Sequence, residues 1–365
     1  MPFMHLSDKT VKAVREQSRQ MEQIGNVTPR ILKIMYDYNL FKLFVPRELG
    51  GEMLPLPDAL RVFEQASWID GSFGWLTDIG SGGGYFVSSI LPSVCQETFS
   101  DKKAVVAGSG APSGTAKRVD GGYLVSGRWK YCSGSPYATV FTVNCQIEGD
   151  ARDSNPEVRS FILPPDRVKV IEDWNAFGLK ATASHSIAVD DVFVPDERTF
   201  NVFDDCVYWH DPLYRYPFLQ FSQTSFAAVC IGICRHFLDE AKLILKQNKG
   251  VWETSSPNRY PYVQRKVEGA ERTLQQATEN FYRAVDESWD TLVRHSDLSE
   301  QVQEQVSYVC HATSRAALSC AQSVFPYLGI SAIMEDAPVN RAYRDLHTAC
   351  QHTMIVPFYE IEVKS

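Results

Sequence analysis

Few segments of this 365-residue sequence combine residue types and spacing that could support chemistry, and a glycine-rich segment is the first. Residues 80–85 read Gly-Ser-Gly-Gly-Gly-Tyr, but they lack the G-x-G-x-x-G spacing and the Gly-Lys-Ser/Thr ending of phosphate loops, and no strand precedes them. We therefore expect a flexible or closely packed helical segment, where the absent side chains let a ligand or another backbone approach.

The histidines and cysteines do not form a recognisable metal site. His347 and His352 are five residues apart, whereas paired ligands on one helix are four apart, and no convincing carboxylate partners flank them. The nine cysteines include no C-x-x-C pair, and several lie in apolar stretches such as residues 229–234. The sequence therefore predicts no metal, and it predicts reduced, mostly buried thiols.

The charge balance excludes several classes of partner. Lys and Arg total 36 against 44 Asp and Glu, which gives a formal net charge of −8, and no basic run is present. A nucleic-acid or anionic-membrane partner is therefore not expected. No segment approaches the roughly 20 apolar residues that span a bilayer, and the first residues lack a basic segment followed by an apolar one, so we expect a cytoplasmic protein.

Apolar periodicity divides the chain into helical, strand and helical parts. Ser7 and the Thr28-Pro29 pair are placed to begin the first two of several helices in the first hundred residues. Between about 101 and 205 the pattern changes to short alternating segments separated by turn residues, which predicts a small β domain. Four long helical patterns follow at 226–245, 263–293, 302–328 and 337–355, and their short connections predict an antiparallel bundle.

Several segments, in order, resemble the acyl-CoA dehydrogenase superfamily. They read Phe-Val-Pro-Arg-Glu-Leu-Gly-Gly at 44–51, Asp-Gly-Ser-Phe-Gly-Trp at 70–75, Gly-Arg-Trp-Lys-Tyr-Cys-Ser-Gly at 127–134 and Trp-Asn-Ala-Phe-Gly-Leu-Lys-Ala-Thr-Ala-Ser at 174–184. The resemblance implies a multidomain α and β fold: an N-terminal helical domain at 1–100, a small β-barrel domain at 101–205 and a C-terminal four-helix bundle at 206–365. It also implies a flavin cofactor and a homotetramer.

Three further segments, at 112–123, 211–217 and 341–352, are similar to the branch that contains two-component flavin-dependent monooxygenases. These enzymes take reduced flavin from a partner reductase and hydroxylate aromatic or polycyclic small molecules. Dehydrogenases of the superfamily hold the ADP half of FAD with Gln-x-x-Gly-Gly and Arg-x-x-Phe-Gly motifs, and residues 327–331 and 258–262 match neither. The resemblance thus favours a reduced-flavin-dependent monooxygenase or oxidase that uses FMN or loosely held FAD, with a separate flavin reductase as partner.

The flavin-facing residues are expected at the end of one strand and in a neighbouring loop. Strand alternation would place Tyr131 and Ser133 on the same side, where a ring and a hydroxyl address one flavin. The resemblance implies that Ser133 donates a hydrogen bond toward flavin N5 and that Thr182 or Ser184 holds the ring. Taken by themselves, these hydroxyls would more often bond to their own backbone.

His352 ends a motif that the resemblance assigns to a catalytic proton donor, a role suited to imidazole near neutral pH. The alternative is a histidine that caps or packs at a helix end. The branch often has a second histidine soon after Gly-Trp, and that position is Gly83 here. Trp209, His210 and Tyr214 are further candidates, with Gly83, for a substrate pocket, although aromatic loop residues more often pack structurally.

Two other functions remain open at this stage. An acyl-CoA dehydrogenase that uses FAD would need a carboxylate base eight residues beyond Asp345, but Thr353 stands there, and Glu360 would have to replace it. A non-catalytic flavin- or ligand-binding homologue is the other alternative. Arg344 and Asp345 are expected to form a structural ion pair that orients the last helix.

Overall fold

The computed structural model describes residues 5–149, 157–202 and 208–356. The first part consists of helices whose starts are set by local side chains. The Ser7 hydroxyl accepts from the backbone N–H of Thr10, and Thr28 and Asp70 cap later helices in the same way. The five helices are α1 (Asp8–Ile24), α2 (Pro29–Asp37), α3 (Leu56–Ile69), α4 (Gly71–Gly82) and α5 (Pro92–Phe99).

Two of the glycines at the end of α4 are closely packed, and one is open. A Cβ atom on Gly80 would collide with the Phe41 ring, and one on Gly83 would lie 2.6 Å from the Val106 Cβ. Gly82 has open space around it. The segment therefore brings α4 against neighbouring backbone and side chains, as expected for residues chosen for small size.

The middle of the chain forms one seven-stranded sheet. Its strands are β1 (Val106–Val119), β2 (Gly122–Cys132), β3 (Val140–Glu148), β4 (Val158–Leu163), β5 (Lys169–Ile171), β6 (His185–Pro195) and β7 (Thr199–Phe200). The order is β5-β6-β2-β1-β3-β4-β7, with β1 and β3 parallel and the other neighbours antiparallel. Among the described residues β5 and β7 are the edges and do not pair, so the expected closed barrel is not seen there.

Four helices follow the sheet: α6 (Phe218–Ser255), α7 (Arg259–His295), α8 (Glu300–Val324) and α9 (Pro338–Ala349). The first two are longer than their apolar patterns predict, and the last is shorter, because the chain turns at Cys350 before it reaches His352. None of the helices in the described ranges is both long and apolar enough to cross a membrane. All the cysteines that the structure describes are free, and all except Cys350 are buried.

The apolar core has two parts that do not follow the predicted domains. One cluster lies within the sheet around Trp129, Phe141 and Phe161. The other is continuous from the first helices to the last ones, with α3 packed along α6. The division at residues 100 and 205 into three domains therefore stays a prediction, because the two helical parts share a core.

The last helix is held by buried charges at the junction of the three parts. Arg344 pairs with Glu22 of α1 at 2.5 Å and donates to the Phe177 carbonyl at 3.0 Å. Asp345 accepts from the backbone N–H of Leu179 at 2.6 Å. The expected Arg344–Asp345 pair is thus wrong, because adjacent helical residues point in different directions and each finds its partner on another element.

Candidate active site

Three buried hydroxyls at the end of β2 and in the 180–184 loop form a continuous chain. Ser133 Oγ lies 2.8 Å from Ser184 Oγ, which lies 2.7 Å from Thr182 Oγ1. Thr182 donates to the Leu179 carbonyl at 2.7 Å. The structure therefore brings together the three hydroxyls that the sequence nominated, and we call Ser133, Ser184 and Thr182 the hydroxyl chain.

Trp75 of α4 completes this chain and was not assigned a role from the sequence. Its indole Nε1 donates to Ser133 Oγ at 3.1 Å. Because an indole only donates and a carbonyl only accepts, the direction of every bond is fixed: Trp75 to Ser133, then to Ser184, Thr182 and the Leu179 carbonyl. The single Ser133 proton is consumed within the chain, so Ser133 can offer a ligand only an acceptor lone pair. The expected donation from Ser133 toward flavin N5 does not fit this arrangement.

His352 packs against Trp75 and Phe226. Its ring centroid is 3.8 Å from that of Phe226 and 5.8 Å from that of Trp75, and the two latter rings stack at 5.2 Å. The Nδ1 atom accepts from the backbone N–H of Met354 at 3.3 Å, which places the proton of the neutral ring on Nε2. Trp75 thus links the two residues nominated as catalytic, His352 and Ser133.

Burial lowers the pKa of His352 to about 4, because desolvation disfavours the imidazolium. At neutral pH the ring is therefore neutral and can donate only its Nε2–H hydrogen bond. The expectation of a histidine poised to give up a proton near neutral pH is not met by this environment.

Tyr131 does not share a face with Ser133. The pairing of β2 with β6 shifts between Trp129 and Cys132, and Tyr131 has a left-handed backbone with φ of 66°. Its side chain is 68% exposed and lies edge-on to Trp174, whereas Ser133 is buried. The alternation assumed from the sequence is wrong here, because the irregular backbone turns Tyr131 outward.

The four residues nominated for a substrate pocket have surroundings of their own in the described structure. Gly83 is closed off by Val106, and Tyr214 is buried with its hydroxyl on the Phe44 carbonyl at 3.0 Å. Trp209 packs half-buried against the helical core, and His210 is exposed. Their pocket role stays a prediction without support from these contacts. The Glu360 alternative lies outside the described residues.

Two further buried polar groups lie near the rings of Trp75, Phe226 and His352. Asp78 follows Trp75 by three positions on α4, and burial raises its pKa to about 8. His311 of α8 approaches the Met354 carbonyl at 3.2 Å and the amide of Gln223 at 3.3 Å. The sequence did contain a signal for Asp78, since it is the one charged residue in an otherwise uncharged helical segment. His311 is recognised only once the chain is folded.

The donor set fits an uncharged aromatic ring system with hydrogen-bonding edges, such as a flavin isoalloxazine. Hydroxyls, an indole and a neutral imidazole surround the site, and no Lys or Arg takes part in the contacts described above. The described residues contain no group of three side chains that could hold a metal ion. The arrangement can orient a ring, keep water away and supply neutral hydrogen bonds.

Comparisons with known proteins extend over almost the whole chain. Residues 224–357 match the family model described as the acyl-CoA dehydrogenase C-terminal domain. The chain is 26% identical over 344 residues to the indole-3-acetate monooxygenase of Pseudomonas putida, which covers 94% of this chain and 88% of that protein. It is 22% identical over 361 residues to the flavin-dependent monooxygenase oxygenase subunit HsaA of Rhodococcus jostii, with 96% and 93% covered.

A solved structure shares this fold. TdsC from Paenibacillus sp. A11-2, in a complex with FMN and indole, has a TM-score of 0.79 and 20% sequence identity to this chain. The match covers 97% of this chain and 93% of TdsC. The mixed helical and sheet architecture is therefore one that known proteins adopt over their full length.

Proposed function

We propose that this chain, whose residues 224–357 match the model of the acyl-CoA dehydrogenase C-terminal domain, is the oxygenase component of a two-component system that hydroxylates an aromatic small molecule. The resemblance to the flavin-dependent monooxygenase branch, first made from the motifs, is confirmed by these relatives. Flavin-dependent oxidoreductase chemistry is confirmed with it. The aromatic substrate is inferred for this chain from the names of its relatives and belongs to the proposal.

The observation that carries the proposal is the directed hydroxyl chain ending at Ser133. Its fixed direction leaves the Ser133 oxygen as an acceptor, and the N5–H of a reduced flavin is a donor, whereas N5 of an oxidised flavin is an acceptor. A bound reduced flavin would supply two electrons and activate molecular oxygen. Ser133 would hold its edge, and Trp75 and Phe226 would exclude water beside His352.

The acyl-CoA dehydrogenase alternative is not supported by the described residues. The position eight residues beyond Asp345 is Thr353, which cannot remove a proton from a thioester. Asp78 holds its proton up to about pH 8 and so is a poor base at neutral pH. The oxygenase needs no such base.

We also propose FMN or loosely held FAD as the cofactor and a separate flavin reductase as its source. The two segments that differ from the ADP-holding motifs lie beside each other. Arg259 stacks over the Trp252 ring at 4.1 Å, and a Cβ on Gly329 would lie 3.0 Å from its guanidinium. Arg259 is thus engaged within its own subunit. Equilibrium titration with reduced FMN and reduced FAD, without oxygen, would rank the two cofactors.

A homotetramer is the proposed assembly. Apolar residues stand exposed after α8, with Ile330 79% and Met334 55% accessible, and such residues favour contact with another subunit. Size-exclusion chromatography with light scattering would give the mass of the assembly directly. A monomer at micromolar concentration would contradict the proposed assembly.

The activity test uses chemically reduced FMN or FAD, isotopically labelled oxygen and indole, resorcinol or indole-3-acetate as probes. We expect label in a hydroxylated product and flavin that returns to its oxidised form. Unlabelled probes together with flavin oxidation at the rate of free flavin would refute the oxygenase. Anaerobic bleaching of bound FAD by an acyl-CoA would instead support the dehydrogenase.

A matched pair of variants tests the role of Ser133. Ser133→Ala removes the acceptor, whereas Ser135→Ala removes a buried hydroxyl two residues away that donates to the Ala183 carbonyl at 3.1 Å. We expect weaker binding of reduced flavin and more peroxide only in Ser133→Ala. Equal losses in both variants would mean that the loop, not Ser133, is what matters.

A further inference from the structure

Asp78 is a buried acid with an unused oxygen. Its side chain is buried within α4, and Oδ2 makes no hydrogen bond to any residue that the structure describes. An unpaired buried polar atom costs about 1–3 kcal/mol, so folding alone gives no reason to keep it. Such a group calls for a functional explanation.

Its position places it beside the candidate active site. Asp78 lies three residues after Trp75, so both side chains leave the same face of α4. The Ser225 hydroxyl of α6 lies close enough to Asp78 to lower the pKa of that carboxyl, but Ser225 Oγ and Asp78 Oδ2 do not reach full hydrogen-bond geometry with each other or with other described residues. Ser225 directly precedes Phe226, which stacks on Trp75 and packs on His352. Asp78 and Ser225, two polar groups without a full hydrogen bond, therefore lie beside the stacked rings of Trp75 and Phe226.

Among the described residues, no charged side chain contributes to the pKa of Asp78. Burial raises its pKa to about 8, and the Ser225 hydroxyl has a smaller, opposite effect. Charged groups on the elements packed against α4 either have other partners or contribute nothing to this pKa. They are Glu64 and Arg235, which pair with each other, Arg341 and Asp345, which lie near Asp70, Lys117 and Arg118 of β1, and Lys180. At neutral pH Asp78 therefore carries a proton, and His352, which packs on Trp75, carries no extra one.

The structure also shows why a histidine does not stand where the resemblance places one. Any side chain on Gly83 would meet Val106, with the Cβ atoms 2.6 Å apart. Asp78 is the only ionisable side chain of α4. Of the residues on α4, only Asp78 can supply a proton to the site.

We propose that Asp78, assisted by Ser225, is the proton donor of the hydroxylation; this inference rests on the proposed function. Overall, one substrate C–H, O₂ and a two-electron-reduced flavin with its two hydrogens give one C–OH, one water and oxidised flavin. Asp78 gives a proton to the oxygen atom that leaves as water. The carboxylate regains a proton when the substrate carbon releases its hydrogen, so the acid is restored in each cycle.

Three variants test this inference, with indole as probe and reduced FMN as cofactor. Asp78→Asn keeps the shape and removes the proton, Ser225→Ala removes the facing hydroxyl, and Asp190→Asn changes an exposed acid on β6 as the control. The measurements are product and peroxide per flavin oxidised, followed across pH.

In the wild type we expect the product yield to fall as pH rises through about 8, where Asp78 loses its proton. Asp78→Asn should lower the yield about 100-fold, form peroxide instead and lose this pH dependence, since general acids contribute roughly 10²–10⁴ in rate. Ser225→Ala should move the fall in yield to higher pH, because Ser225 lowers the pKa of Asp78. Asp190→Asn should match the wild type.

A second readout does not depend on turnover. At neutral pH the infrared carbonyl band of protonated carboxylic acids should be weaker in Asp78→Asn than in the wild type, with unchanged circular dichroism, and the remaining intensity should come from Asp345, whose pKa burial raises to about 7. An unchanged band, or an Asp78→Asn enzyme with wild-type yield and pH profile, would overturn the role of Asp78 alone. Wild-type protein that makes no product from any probe would overturn the proposed function and the catalytic role together.

Discussion

The hydrogen bond between Trp75 and Ser133 joins the helical part of the site to the sheet, and a double-mutant cycle would measure it. Ser133→Ala leaves the Trp75 N–H without an acceptor in a buried place, at about 1–3 kcal/mol, and loses the Ser184 bond at about 1 kcal/mol. We expect a total loss of about 2–4 kcal/mol. Trp75→Phe loses one hydrogen bond and some ring volume, for about 2–3 kcal/mol.

The double variant should be less destabilised than the sum of the two single variants. Once both partners are gone, no donor is left unpaired, so the coupling should be about 1–3 kcal/mol. The measurement is equilibrium denaturation by urea followed by circular dichroism, with the midpoint and slope compared among variants.

Trp68→Phe is the matched control for this cycle. The Trp68 indole donates to Asp239 Oδ2 at 2.8 Å and shares no partner with Ser133. Trp68→Phe and Ser133→Ala should therefore add to within about 0.5 kcal/mol. If Trp75→Phe and Ser133→Ala add equally well, the two residues are not coupled, and the directed hydroxyl chain would have to be abandoned.

Three further predictions concern stability. The pKa of His352 is lowered from 6.5 to about 4 in the folded state, so the unfolded chain binds the extra proton first as pH falls. The free energy of unfolding of the wild type should therefore decrease by up to about 3 kcal/mol between pH 6.5 and pH 4. His352→Phe should remove this decrease in acid denaturation curves. Gly83→Ala should lower the free energy of unfolding by about 1–3 kcal/mol, because the new Cβ would meet the Val106 Cβ, whereas Gly82→Ala, which meets open space, should not destabilise; equal effects on melting temperature would contradict the packing. Arg344→Met should lower the free energy of unfolding by about 3–5 kcal/mol, because the buried Glu22 carboxylate loses its partner, and adding Glu22→Leu should recover much of that loss in the same urea assay. An Arg344→Met variant as stable as the wild type would mean that the pair contributes nothing to stability.

The features predictable from the sequence were those determined locally. Ser7 and Thr28 cap helices through hydrogen bonds three residues away, and Gly80 and Gly83 are packed as expected of small residues. The hydroxyls of Ser133 and Ser184 were found because their segments carry motifs, not because of spacing alone. Recognition of the motifs thus supplied what periodicity lacks, namely which distant segments meet.

The features that the sequence did not reveal depend on contacts between distant parts of the chain. Asp345 meets the Leu179 N–H across 166 positions, and no periodic pattern reports such a contact. Tyr131 breaks the alternation of β2 through a local backbone irregularity that arises in the folded sheet. The low pKa of His352 follows from burial beside Phe226 and Trp75, which the sequence alone does not specify.

The fixed direction of the hydroxyl chain means that a residue away from its end controls what its end can bind. Ser184 takes the only proton of Ser133, and without that acceptor the Ser133 hydroxyl is free to turn and donate. In Ser184→Ala the Ser133 hydroxyl, itself unchanged, would then donate a hydrogen bond to a ligand where it accepts one in the wild type. A site that discriminates a reduced from an oxidised ring by one hydrogen could thereby have its preference reversed by a change in the second residue of the chain.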